Sequence, residues 1–145
     1  MMTKYLTTKQ IIDLNQKIIK EFGGGSIGIL NKGNLDFIVS QMRVPKDIYR
    51  KAAYLMRGII EGHVFLSANK RTGIESAKLF LRKNGKYLIL SEDDTRDMSL
   101  RLARGDMSLN EVTEWLKIYT SKSFRNSRKY ILNEDKDLMK TLAML

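Results

Sequence analysis

Apolar positions along this chain recur at helical spacing, with almost no run alternating as a half-buried strand does. Ile11, Leu14, Ile18 and Phe22 share one helical face. Thr7 with Gln10 three positions later has capping-box spacing, so a first helix is expected from Thr7 to the stop at Gly23-Gly24-Gly25. Three glycines carry a high conformational-entropy cost in a regular element, and residues 23–34 read as a mobile loop. Leu35, Phe37, Ile38 and Met42 predict a short helix that ends before Pro45. Ile48, Ala52, Leu55 and Ile59 form the stripe of a second long helix, which delivers the chain to Gly62 and His63. Ile74, Ala77, Phe80 and Leu81 mark a third, starting close to Asn69 and closed by Gly85; its small positions Gly73 and Ala77 suit close packing in the middle of a bundle.

The remainder continues the helical pattern. Lys86-Tyr87-Leu88-Ile89-Leu90 is β-prone but has no second strand to pair with, so it reads as an extended connector. Ser91 with Asp94 caps a helix expected over 95–104, and Gly105 ends it. Ser108 with Glu111 repeats the capping-box device ahead of Val112, Trp115, Leu116 and Tyr119, where Trp115 is expected in the core. Residues 121–130 are basic through Lys122, Arg125, Arg128 and Lys129, which suits either a solvated linker or an anionic partner. Asn133 would cap a last helix bearing Leu138 and Leu142. The fold class is therefore all-α. Residues 1–120 form one domain, and 121–145 form a basic linker with a C-terminal helix.

Composition narrows the function classes. The 145 residues are 43% hydrophobic and 29% charged, values of a globular domain with a real core. No run is apolar enough to span a bilayer, no apolar leader opens the chain, and cysteine is absent. A cytoplasmic location is the expectation. Lysine and arginine number 26 against 16 acidic residues, a formal charge of +10, which favours nucleotides, nucleic acid or acidic peptides as partners. Nucleic acid is the weaker of these readings, because net charge alone supports it.

The candidate chemistry lies in His63-Val64-Phe65-Leu66-Ser67-Ala68-Asn69-Lys70-Arg71-Thr72-Gly73, which holds the only histidine. A lone histidine beside a helix is more often structural, but an amide, an ammonium and a guanidinium follow this one. A helix start presents unpaired N–H groups and the positive end of a dipole, so an anion is favoured from Asn69 to Thr72. Lys70 adds a point charge, Arg71 a planar fork for two phosphate oxygens, and Asn69 an amide that can donate while accepting from a loop N–H. An imidazole titrates at about 6.5 in water and can take a proton from an incoming hydroxyl. Phe65 would point the other way and pin the loop.

These residues resemble the signature of the Fic/Doc family in its Doc (death-on-curing) branch, which runs His-x-Phe-x-acidic-Ala-Asn-Lys-Arg-Thr. The likeness extends to Tyr5-Leu6-Thr7, the glycine loop, Lys83-Asn84-Gly85 and Gly105 to Trp115, and so covers roughly residues 4 to 119. It implies a single-domain helical bundle with the motif loop between two central helices. It further implies His63 as general base, Phe65 as loop anchor, and Asn69, Lys70 and Arg71, with Thr72 and Gly73 of the same helix start, at the nucleotide phosphates. ATP is the implied donor and magnesium the implied cofactor. The implied reaction is transfer of the terminal phosphoryl group to a protein hydroxyl, in the family a threonine of translation elongation factor Tu, within a toxin-antitoxin pair. Lys70 stands where AMP-transferring Fic relatives have the second glycine of Gly-Asn-Gly-Arg, and AMP transfer is the alternative. Ser67 departs from the pattern, since Asp or Glu normally helps hold magnesium there; a carboxylate such as Glu61 or Glu75 would have to substitute in space. A catalytically weak binding module of the same fold is the reading that this departure favours.

Overall fold

The computed structural model describes residues 2–123, which form six helices: α1 (Thr8–Phe22), α2 (Lys32–Gln41), α3 (Ile48–Gly62), α4 (Asn69–Lys83), α5 (Glu92–Ala103) and α6 (Leu109–Ser123). The helix expected around Leu138 lies outside the described residues. Local chemistry accounts for most helix boundaries. At α1 the Gln10 N–H donates to Thr7 Oγ1 at 3.1 Å while the Thr7 N–H donates back to Gln10 Oε1 at 2.9 Å. The same reciprocal pair, Ser108 with Glu111, opens α6. Asn31, Asp47 and Ser91 cap α2, α3 and α5. Helix α5 begins at Glu92, ahead of the expected Thr95, because Ser91 is itself the N-cap and every residue after it is already helical.

Helix α3 is the axis of the bundle. It packs against α2, α4, α5 and α6, while α1 lies across α4 and touches α2. Ala52, Ala53, Leu55, Met56, Ile59 and Ile60 of α3 are all buried, so this helix is covered around most of its girth. Residues 86–90 form no strand and serve as the expected connector, with Leu88 and Leu90 turned inward. Phe37 departs from the expected apolar face: it is 58% exposed, while Leu35, Ile38 and Met42 take the inner positions of α2. Trp115 is half-buried on the edge of the core, its ring 4.7 Å from that of Tyr119, with Val112 and Leu116 filling the interior.

The α3–α4 contact is set by a missing side chain. A Cβ at Gly73 would stand 2.7 Å from Ile60 Cγ1 and 3.0 Å from the Met56 carbonyl oxygen, so the two backbones approach closely only with glycine there. Gly73→Ala is expected to lower unfolding free energy by about 1–3 kcal/mol through overpacking against backbone that cannot give way. Denaturant titration with an unchanged m-value checks this.

Asp47 ties the start of α3 to α6. Its Oδ1 accepts from the Tyr49 N–H at 2.7 Å, and its Oδ2 lies 3.2 Å from Lys117 Nζ. Burial pushes this carboxyl up, but the Tyr49 and Arg50 N–H groups and the Lys117 ammonium outweigh it and hold the group below the ordinary aspartate value. A depressed carboxyl stabilises the fold above its unfolded pKa, and that contribution disappears as pH falls through the folded one. Asp47→Ala should therefore cost about 1 kcal/mol at neutral pH, mainly as a lost cap. In pH-dependent unfolding, the gap between variant and wild type should narrow below about pH 4.

Candidate active site

The loop that joins α3 to α4 is short and held at both ends in an unusual conformation. His63 caps α3 at φ 44°, ψ 53°, and Ala68 precedes α4 at φ 62°, ψ 30°. Among the described residues these are the non-glycine positions with positive φ. The left-handed region costs an L-residue about 1–2 kcal/mol, so the surroundings must over-determine this loop.

Three sets of contacts do so. Val64 and Phe65 are buried, which gives the loop an apolar anchor at the position expected for it. Asn69 closes a ring with its side chain: Oδ1 accepts from the Phe65 N–H and Nδ2 donates to the Phe65 carbonyl, both at 2.8 Å. Asn15 of α1, 1% exposed, donates to the Ser67 carbonyl at 2.9 Å and to Thr72 Oγ1 at 3.0 Å. The glycine stretch adds backbone pairing. Leu30 and Asn31 donate to the Val64 carbonyl at 2.8 and 3.1 Å, Leu66 donates to Gly28 O at 3.0 Å, and Ile29 faces Phe65 in an antiparallel bridge. The expectation of a mobile 23–34 loop is thus revised: its second half is tied to the motif loop, and α2 has already begun at Lys32.

The expected site residues divide into two groups. His63, Lys70 and Arg71 are exposed at the mouth of the loop and the first turn of α4. Helix α4 has no side-chain cap at its N-terminus, which leaves donor groups of its first turn open to an anion. The Arg71 guanidinium lies 3.5 Å above the ring of Phe22, which keeps the fork on the α1 side of this helix start. Lys70 and Arg71 also line a cleft of about 830 Å³ between α4 and α5, with Glu75, Lys78, Ser91 and Arg96 on its walls. Thr72 and Gly73 face inward instead. Thr72 is buried with its hydroxyl on Asn15, and Gly73 lies against α3. Asn69 spends its oxygen and one amide hydrogen on the loop.

The residues present do not fit a magnesium ion held by the loop. Ser67 accepts the Ser26 N–H at 3.0 Å and brings no charge. Glu61 is engaged in an ion pair with Arg57, its Oε1 3.2 Å from Nε. Glu75 stands on the cleft wall, and among the described residues no three His, Cys, Asp or Glu side chains gather as a metal site.

Sequence reading missed Asn15 and Phe22 as parts of the site. Asn15 was detectable in principle, being a polar residue between Leu14 and Ile18 on the buried face of α1. Phe22 was read only as the end of an apolar stripe. Asn15→Ala strands two polar partners in the interior, so a loss of about 1–3 kcal/mol is expected in thermal or denaturant unfolding. Amide exchange of residues 66–72 should rise more than that of α6, as a local loosening requires.

A model of the Fic/DOC family matches residues 5–81, which span α1 to α4 and the loop. Over 120 residues the chain is 29% identical to the protein kinase doc of Escherichia phage P1, an alignment that covers 79% of this chain and 94% of that protein. With its motif loop seated between the two central helices and the match running across more than half its length, this chain belongs to the Fic/DOC family.

Proposed function

We propose that this protein is a Doc-like phosphotransferase that moves the terminal phosphoryl group of ATP to a hydroxyl of a target protein. The observation that carries the reading is the placement of exposed His63 one short loop ahead of an uncapped helix start whose first turn bears Lys70 and Arg71. Similarity to a relative named as a protein kinase supports phosphoryl transfer, and by the family resemblance so does Lys70, which stands where AMP-transferring Fic relatives carry a glycine.

The chemistry follows from the groups available. Polyphosphate oxygens meet the first-turn N–H groups of α4, and the Lys70 ammonium and Arg71 guanidinium offset their charge. The remainder of the nucleotide occupies the cleft between α4 and α5. The acceptor O–H gives its proton to the His63 imidazole as its oxygen bonds the γ-phosphorus, and the bond to the bridging oxygen of ADP breaks. Lys70 and Arg71 hold the charge that ADP carries away.

The acceptor side is apolar. Ile27, Ile29, Leu30 and Leu66, together with Phe22, stand exposed around the loop, a composition suited to a protein surface. Translation elongation factor Tu is the acceptor proposed from the family resemblance, and an antitoxin is the proposed partner that covers this face. The uncharged Ser67 favours a second reading, a nucleotide-binding module of weak turnover.

Label from γ-labelled ATP, and none from α-labelled ATP, is expected on the acceptor protein; the reverse pattern would mean AMP transfer, and binding without label would leave the weak module. His63→Ala should lower transfer by about 10²–10⁴-fold while nucleotide affinity stays. Lys70→Ala and Arg71→Ala should each weaken ATP binding by roughly tenfold or more, read by calorimetry.

A further inference from the structure

The backbone ladder between the glycine stretch and the motif loop runs out after Leu66, whose N–H reaches Gly28 O. Farther along, the Ser67 carbonyl is turned toward Asn15 as the chain enters the left-handed Ala68, and so is committed to α1. The Ser26 N–H is instead accepted by the Ser67 hydroxyl oxygen at 3.0 Å. A side chain thus extends the pairing across the gap. Gly25 completes the contact: a Cβ there would overlap both Cβ and Oγ of Ser67, so the Gly25 backbone lies directly on this side chain. A small residue at 67 and none at 25 are fitted to each other.

We propose that Ser67 is a positioning residue that latches the glycine stretch onto the motif loop, in a place where it holds no metal. Its oxygen serves a backbone N–H, and an uncharged hydroxyl is a poor substitute for the carboxylates through which proteins usually hold magnesium. The latched stretch runs beside Val64, the residue after His63, and carries the exposed Ile27, Ile29 and Leu30. Closing it fixes the surface past which an acceptor reaches the imidazole. That consequence rests on the transferase reading, but the latch itself is a property of the free protein.

The test uses amide exchange and proton chemical shift by NMR on the intact chain without nucleotide. Ser67→Ala should raise the exchange rate of the Ser26 amide about fivefold, the loss of one ordinary hydrogen bond, and move its resonance upfield, with the Thr72 and Val112 amides, bonded within their own helix starts, as controls that stay put. Gly25→Ala, which puts a methyl where Ser67 stands, should also free the Ser26 amide. The ratio of ATP affinity with and without magnesium should be the same in Ser67→Ala as in wild type. An unmoved Ser26 amide in Ser67→Ala overturns the latch, and a magnesium dependence that falls in this variant makes Ser67 a metal ligand and overturns it too. Absence of transfer from ATP would sink the function proposed above and leave the amide result to decide this one.

Discussion

The backbone of α4 can lie on α3 because residue 73 has no side chain, and the rest of the site depends on that approach. Two helices this close must be joined by a chain reversal with little length to spare. The reversal runs from His63 to Ala68 and places a left-handed residue at each end. Glycine would relieve the strain at either position, but at 63 it would remove the imidazole. The strain is offset nearby, by burial of Val64 and Phe65 and by side-chain amides that take up the loop's polar groups.

This support separates residues that build the loop from residues that stay exposed at it. Asn69 is committed to the Phe65 backbone, Asn15 to Thr72 and the Ser67 carbonyl, and Phe65 is in the core. His63, Lys70 and Arg71 remain exposed on the frame that results. Such an arrangement suits phosphoryl transfer, in which positioning and electrostatic stabilisation supply most of the catalysis. The frame draws on α1, α3, α4 and the glycine stretch at once, so damage to any of them reaches the site.

The electrostatics of the cleft are mixed although the chain is strongly basic. Lys70, Arg71, Lys78 and Arg96 face it together with Glu75 and Glu92. Basic groups gather at the start of α4, where the proposed function puts phosphate, while acidic groups keep the walls from being a uniform anion trap. The +10 charge of the whole chain is thus a poor guide to this site. Ser67 adds an uncharged oxygen where the family pattern has a carboxylate, and the fold uses it to hold backbone.

Sequence alone determined what depends on neighbours a few residues apart. The capping pairs Thr7–Gln10 and Ser108–Glu111 and the stripes of α1 and α3 are local features, and each was legible because successive members lie about one helical turn apart. The His63–Arg71 motif was legible for the same reason. Tertiary structure alone decided that Thr72 faces inward, that Phe37 faces outward, that Arg71 stacks on Phe22, and that the glycine stretch is bound to the loop. Each of these follows from which elements meet across long stretches of chain. Asn15 reaches Ser67 across 52 positions and Ser26 reaches it across 41, separations at which no spacing rule operates and only packing brings the groups together.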